Sequence, residues 1–339
     1  MKKVILKDVA KRAKVNISTV SRALSGSPLL KEETKREILA LAEELGYYPN
    51  VLARGLASKK SQNIGLVLPD MTALQGPFYT EVLRGIEQKA DERDYSLLLT
   101  TVKNRERSKT YLPLIKGRRM DGFLLVNEHI TIEELNFLVK EDIAFVILER
   151  FFKEPGVNCV ISDNTGGAKS AVSYLIEQGH KRIGLITGER TFSASRDRTK
   201  GYIQALKEKR MPLNESLIIE GSFQNGITSG YTCAMELLSR TPRPTAIFAG
   251  NDEIAMGVFQ AVRDVGLKVP KDISVIGFDD APFAAHLTPP LTTVRQFGYE
   301  IGYQACEILI NMLNDKLVET SKIKVPTELI IRDSCRNRA

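Results

Sequence analysis

The sequence predicts an α/β protein: an N-terminal all-α module of three short helices with a tether, then two doubly wound parallel α/β subdomains. Three observations carry this. The 339 residues exceed the usual size of one hydrophobic core. Residues 1–60 hold 13 Lys and Arg against 6 Asp and Glu, so the whole net charge of +7 lies there and the remainder is neutral. From Ile64 onward short apolar runs alternate with amphipathic stretches, whereas the first segment shows helical spacing.

Leu6, Val9, Ala10 and Ala13 fall at i, i+3, i+4 and i+7, an apolar stripe on a short helix with Lys7, Lys11 and Arg12 on its wet face. Val15 closes a tight connection, and Asn16 can cap a second helix. Its inward side is Val20, Ala23 and Leu24; its outward side is Ile17, Ser18, Thr19, Ser21 and Arg22. Gly26 and Pro28 end it. A third helix from Glu32 to Leu45 carries Ile38, Leu41, Ala42 and Leu45 and stops at Gly46. Two short helices backed by a third make a helix-turn-helix, whose second helix lies in the major groove of DNA. Short hydroxyls and an Asn can reach phosphate, and Arg22 can bond the edge of guanine. Basic charge confined to this module suits a polyanionic partner.

Leu6-Lys7-Asp8-Val9-Ala10, Val15, Thr19-Val20-Ser21-Arg22, Gly46-Tyr47-Tyr48-Pro49-Asn50 and Ala53-Arg54-Gly55-Leu56 resemble, in order and spacing, the headpiece and hinge of the LacI/GalR-type family of bacterial transcription regulators. The resemblance implies that Ile17, Ser18 and Arg22 read bases while Asn16, Thr19 and Ser21 touch phosphate, within a DNA-binding set that also includes Leu6, Asn50, Ala53 and Leu56. Lys31 departs from the family, where a capping Ser is usual. Asn50–Ser58 is too short to be helical alone in water. By resemblance it becomes a hinge helix on operator DNA, where two copies pair and push Leu56 into the minor groove. The implied domains are a headpiece at 1–48, a hinge at 49–60 and an effector-binding and dimerisation body at 61–339. The two body subdomains are expected at 61–161 plus 292–322 and at 162–291 plus 323–339.

Within the body, Ile64–Leu68, Tyr95–Thr100, Gly122–Val126, Ala144–Leu148 and Cys159–Ser162 read as buried strands, with helices Phe78–Arg93, Lys109–Lys116 and Thr131–Lys140 between them. A second series runs through helix Gly166–Gln178, strand Arg182–Thr187, helix Asp197–Lys209, Ile218–Glu220, Thr228–Ser239, Ala246–Ala249, Glu253–Val265 and Ser274–Gly277. Ligands of such sheets bind in a crevice outside the strand C-termini. The body therefore resembles the periplasmic sugar-binding fold.

Polar and aromatic residues stand at those strand ends: Phe78 and Tyr79 opening a helix, Arg198 at the start of another, Asn251-Asp252 after Ala246–Ala249, and Asp279 after Ser274–Phe278. An Arg fork and carboxylates can bond vicinal hydroxyls while an aromatic ring covers a sugar's apolar face. By resemblance Phe78, Tyr79, Arg198, Phe223, Asn251 and Asp279 bind the effector. Asp252 serves equally as a helix cap, Phe223 as core, and Phe192 as ligand platform or loop anchor. Arg190 and Arg196 add charge that would suit a phosphorylated or acidic sugar.

Other functions find less support. No Gly-x-Gly-x-x-Gly follows the first strand, and Gly166-Gly167-Ala168-Lys169-Ser170 lacks the glycines of a phosphate loop. The four Cys and three His are scattered, which predicts reduced core thiols, no metal and no cofactor. No apolar stretch is long enough to span a membrane and no leader is seen, so a cytoplasmic protein is expected. The chain ends soon after Thr327–Arg332 without a heptad tail, which points to a homodimer on a pseudo-palindromic operator. The hinge is also similar to that of catabolite control proteins, which use a phosphorylated carrier protein as corepressor, although Glu307 stands where that subgroup is expected to place a basic contact. A sugar-processing enzyme and a transport receptor are the alternatives from other classes.

Overall fold

In the N-terminal module the buried side of each helix is the side that carries the apolar spacing. The computed structural model describes residues 4–24, 29–47, 60–68, 74, 76–101, 108–126, 130–314 and 320–338. They fall into two units, Met1–Gln62 and Asn63–Ala339. In the first, α1 (Leu6–Ala13), α2 (Ile17–Leu24) and α3 (Glu32–Glu44) enclose Val9, Ala10, Val20, Ala23, Ile38 and Ala42. Lys14 turns the chain between α1 and α2 in the left-handed region (φ 54°), and the Val15 amide donates to Ala10 O at 3.1 Å. Asp8 accepts the Ile5 amide at 2.9 Å, an anion at the positive end of α1. Gly46 (φ 62°) ends α3 and lets the Tyr47 amide reach Ala42 O at 2.8 Å. No side chain caps α3 at Lys31, the position where the sequence departs from the family it resembles.

The second unit has two lobes. The first lobe is built on six parallel strands in the order β11-β5-β4-β3-β1-β2, where β1 is Asn63–Leu68, β2 Ser96–Thr101, β3 Gly122–Val126, β4 Phe145–Leu148, β5 Asn158–Ser162 and β11 Lys322–Val325. Its helices are α4 (Pro77–Asp91), α5 (Ser108–Lys116), α6 (Ile132–Lys140) and α11 (Gly298–Leu313). Every residue of β3, β4 and β5 is buried, as near-continuous apolar runs in a parallel sheet require. The second lobe is built on four parallel strands in the order β7-β6-β8-β9, with β6 at Ile183–Thr187, β7 at Ile218–Glu220, β8 at Ala246–Ala249 and β9 at Ser274–Ile276. Its helices are α7 (Asn164–Glu177), α8 (Ser193–Glu208), α9 (Gly226–Ser239) and α10 (Asp252–Asp264). Phe248 and Phe278 are fully buried beside its sheet; each such ring contributes about 1.5–3 kcal/mol of transfer free energy.

Three differences from the expected boundaries matter. The helix α11 had no counterpart in the sequence reading. It returns to the first lobe and packs on α4, where Gly85 and Gly302 let the two backbones touch: a Cβ at Gly85 would stand 2.0 Å from Tyr299 O, and one at Gly302 2.0 Å from Val82 O. Residues Lys322–Val325 extend the first sheet by pairing with Cys159–Ser162, so the expected assignment of 323–325 to the second subdomain is wrong. A four-residue strand of mixed pattern is placed by its ladder partner, which local periodicity does not reveal. Finally, β10 (Thr293–Arg295) pairs antiparallel with β12 (Glu328–Ile330), and bridges from Thr292 to Ile276 and from Arg295 to Asp279 tie β10 to the second lobe. The chain therefore crosses between lobes near 163, 296 and 326, not at 292 and 323.

Candidate functional site

On α2, Val20 and Ala23 are buried, while Asn16, Ile17, Ser18, Ser21 and Arg22 are exposed and Thr19 is half-buried. The Asn16 carbonyl starts the helix by accepting the Thr19 and Val20 amides. No acid stands in its first turn. Leu6 is half-buried and packs against the module's core. Asn50, Ala53 and Leu56 lie outside the described residues.

In the second unit, strand C-termini deliver polar side chains to the boundary between the lobes. Glu149 follows β4, Ser162 ends β5, Thr187 ends β6, Asn251 follows β8 and Asp279 follows β9, as expected for open parallel sheets. Arg198 is the centre of this group and is buried. It sits in the second turn of α8, which begins at Ser193, four residues before the start read from sequence. Its Nε donates to Asn164 Oδ1 at 2.8 Å, its Nη1 donates to Gly250 O, and Nη1 lies 3.8 Å from Asp279 Oδ1. The guanidinium lies over the Phe278 ring at 3.8 Å and 5.7 Å from the Phe223 centroid. Burial lowers its pKa and Asp279 opposes this; Glu149 and Tyr79, both of the first lobe, also act on its charge. The guanidinium remains a cation at any pH of interest.

Asp279 occupies an unusual backbone conformation (φ 124°), which costs a non-glycine residue about 1–3 kcal/mol. It is held there by its amide on Val294 O at 2.7 Å and by Gln296 Nε2, which donates to its Oδ1 at 2.6 Å. Burial pushes its carboxyl up to about 6, against the pull of Arg198. Asp252 is fully buried beneath the same turn, where its carboxylate accepts from Thr293 Oγ1 and from the Ala281 amide; burial, then the charge of Asp279, raise its pKa. It is a support for the turn, not the cap of α10. That cap is Asn251, whose Oδ1 accepts the Ile254 amide at 2.8 Å, leaving its NH2 and the second lone pair of Oδ1 for a ligand.

Phe223 closes over Gly188, with its ring 6.0 Å from Phe192, and its amide donates to Glu189 at 3.1 Å. Phe192 is therefore packed with Phe223. Phe78 and Tyr79 meet edge to face at 5.1 Å at the start of α4 and pack on the first lobe's core. Arg190 pairs with Glu220 at 3.1 Å, and Arg196 donates to the carbonyls of Arg190 and Thr191, so the fork of Arg196 braces its own loop.

The sequence reading missed Glu149, Ser162, Asn164, Ser195 and Gln296. Glu149 had a signal, an acid directly after the apolar run Phe145–Leu148; the others became visible only when distant segments met. The Ser193 hydroxyl of the second lobe donates to Glu149 O of the first at 2.7 Å. Three buried polar atoms here have no partner among the described residues: Ser162 Oγ, Ser195 Oγ and Gln296 Oε1. Each such atom costs about 1–3 kcal/mol unless satisfied, which a hydroxyl-rich guest would do.

Elsewhere, Glu307 accepts from Lys89 at 3.3 Å and lies 3.9 Å from Arg93, so this surface carries an acid tied into an ion-pair cluster. The four cysteines are unpaired, and burial pushes Cys306 and Cys335 up to about 12. Among the described residues no helix is long and apolar enough to cross a membrane, and no group of His, Cys, Asp and Glu could hold a metal ion.

Two family descriptions match the chain: bacterial regulatory proteins of the lacI family over residues 5–50, and the periplasmic binding protein-like domain over residues 172–335. The chain is 35% identical to catabolite control protein A of Priestia megaterium, over 98% of this chain and 99% of the relative. It is also 35% identical to the probable HTH-type transcriptional repressor ExuR of Bacillus subtilis (strain 168), over 98% of each. Among solved structures it is similar to the lac repressor dimer bound to operator and the anti-inducer ONPF (TM-score 0.86, 26% identity, 99% of this chain and 100% of that one). A second match is a complex of the transcriptional regulator CelR with cellobiose (TM-score 0.75, 29% identity, 98% and 100%).

Proposed function

Because the chain belongs to the lacI family of bacterial regulatory proteins, we propose that a sugar or sugar derivative binds at the lobe boundary around Arg198 and sets the protein's affinity for operator DNA. The protein is a DNA-binding transcriptional regulator, as its relatives are, and not an enzyme. Its target is a set of sugar-metabolism genes, which it represses as a homodimer on a pseudo-palindromic operator. Ile17, Ser18 and Arg22 read bases, Asn16, Thr19 and Ser21 hold phosphates, and Asn50, Ala53 and Leu56 form the hinge contact.

The observation that carries the effector reading is the cluster of Arg198, Asp279 and Gln296, in which Gln296 Oε1 is unsatisfied, together with the unsatisfied buried hydroxyls of Ser162 and Ser195. A buried fork, a carboxylate and hydroxyls in one crevice match the alternating donors and acceptors of a polyol. Closing the lobes about the crossings near 163, 296 and 326 then biases the DNA-binding state. Such coupling is typically about 1–3 kcal/mol, or roughly five- to 150-fold in affinity. A phosphorylated carrier protein as corepressor is disfavoured by the acid at Glu307.

The test is a gel-shift titration of the full-length protein on its own promoter region against a panel of sugars. At least one sugar should change operator affinity about fivefold or more, and Asp279→Ala should abolish that response while retaining DNA binding. Identical promoter occupancy across the panel would sink the reading.

A further inference from the structure

The N-terminus of α8 opens on the same lobe boundary, where the Ser193 hydroxyl bonds Glu149 O. No side chain caps this 16-residue helix and no acid stands in its first turn. The amides of Ala194 and Ser195 find no acceptor among the described residues, so the positive end of the helix is uncompensated. Ser195 is 1% exposed and its Oγ has no partner. Helical Cα–Cβ bonds tilt toward the N-terminus, so the Ser195 Cβ leans toward the end of the helix where these amides lie. Arg198 stands three residues on, on the same side of the helix, and its Nη2 holds no hydrogen bond among the described residues.

Resting on the reading of this cleft as the effector site, we propose that the effector is a sugar acid whose carboxylate docks at the start of α8, on the Ala194 and Ser195 amides, Ser195 Oγ and Arg198 Nη2. Two amides and a hydroxyl at a helix N-terminus, with a guanidinium one turn away, supply charge-assisted donors for a planar monoanion. The sugar's hydroxyls then fall to the surrounding acceptors: Asp279 of the same lobe, Gln296 Oε1 at the crossing and Glu149 across the cleft. Those same carboxylates argue for a carboxylate over a phosphate ester. Among the described residues named here, the guanidinium with an open donor is Arg198, through Nη2, because Arg190 is paired with Glu220 and Arg196 braces its loop; a dianion beside Glu149 and Asp279 would be undercompensated.

Calorimetric titration of the full-length protein with D-gluconate, D-glucose, D-galacturonate, D-galactose and D-glucose 6-phosphate tests this. At least one carboxylate should bind about tenfold or more tighter than its neutral counterpart, with Ser195→Ala cutting that preference to about threefold or less. Neutral sugars binding as tightly as the acids would overturn the sugar-acid assignment and leave the sugar reading standing. Tighter binding of the phosphate ester than of both acids would overturn the carboxylate. An unchanged preference in Ser195→Ala would remove the α8 N-terminus from the site, and no binding by any of the five would overturn both this inference and the sugar reading for these probes.

Discussion

Asp279 Oδ1 lies 3.8 Å from Arg198 Nη1, and both side chains are largely withdrawn from solvent. That separation is too long for a direct hydrogen bond, so the pair presents a donor and an acceptor that one ligand hydroxyl can bridge. The two groups are held apart by other partners: Arg198 by Asn164, Gly250 and the Phe278 ring, and Asp279 by Gln296. Preorganisation of this kind makes the site demanding toward guests that lack hydroxyls.

Arg198→Lys keeps the charge but cannot serve Asn164, Gly250 and a ligand together, nor lie over Phe278 as a planar group does. The variant should lose the sugar-dependent change in operator affinity while binding operator without sugar as the parent does. Unfolding should cost about 1–3 kcal/mol less. Gel-shift titration and thermal melting read the two effects; a retained sugar response would show that the fork is dispensable.

Arg22 projects from the exposed side of α2 between the buried Val20 and Ala23. Arg22→Ala should lower operator affinity by about 1–3 kcal/mol while leaving binding to random duplex within a few-fold. Fluorescence anisotropy on both DNAs at one salt concentration decides this. Equal losses on both would make Arg22 a phosphate contact.

His180 is buried, with Nδ1 2.9 Å from Thr245 Oγ1, and burial followed by the nearby Arg338 pushes it down to about 4. As pH falls below 6.5 the unfolded chain takes up this proton and the folded one does not, so stability is lost between about 6.5 and 4. Asp279, raised to about 6, acts in the opposite sense, adding stability as pH falls toward 3.8. Urea denaturation at pH 7 and 5 should therefore show His180→Asn losing less stability on acidification than the parent, by on the order of 1–2 kcal/mol. Parallel slopes would mean that His180 titrates normally in the fold.

Gly85→Ala places a methyl 2.0 Å from Tyr299 O and 2.9 Å from Tyr303 N, so α4 and α11 have to separate. A loss of about 1–3 kcal/mol in urea unfolding is expected. Wild-type stability would mean that the two helices pack less closely than described.

The order of residues by itself determined most of the elements, because helix and strand periods are local. Leu6 to Ala13 and Ile64 to Leu68 declare their buried sides within one or two turns of chain, and the basic segment announces a polyanion without any fold. Asp279 and Arg198 could be suspected because polar residues after buried strands end up in a crevice. Only the tertiary structure decided that Arg198 is spent partly on Asn164, that Asn251 rather than Asp252 caps α10, and that α11 and β11 belong to the first lobe. Those outcomes depend on ladder pairings and contacts between segments tens to hundreds of residues apart, and no local period records which distant partner a strand or a guanidinium will meet.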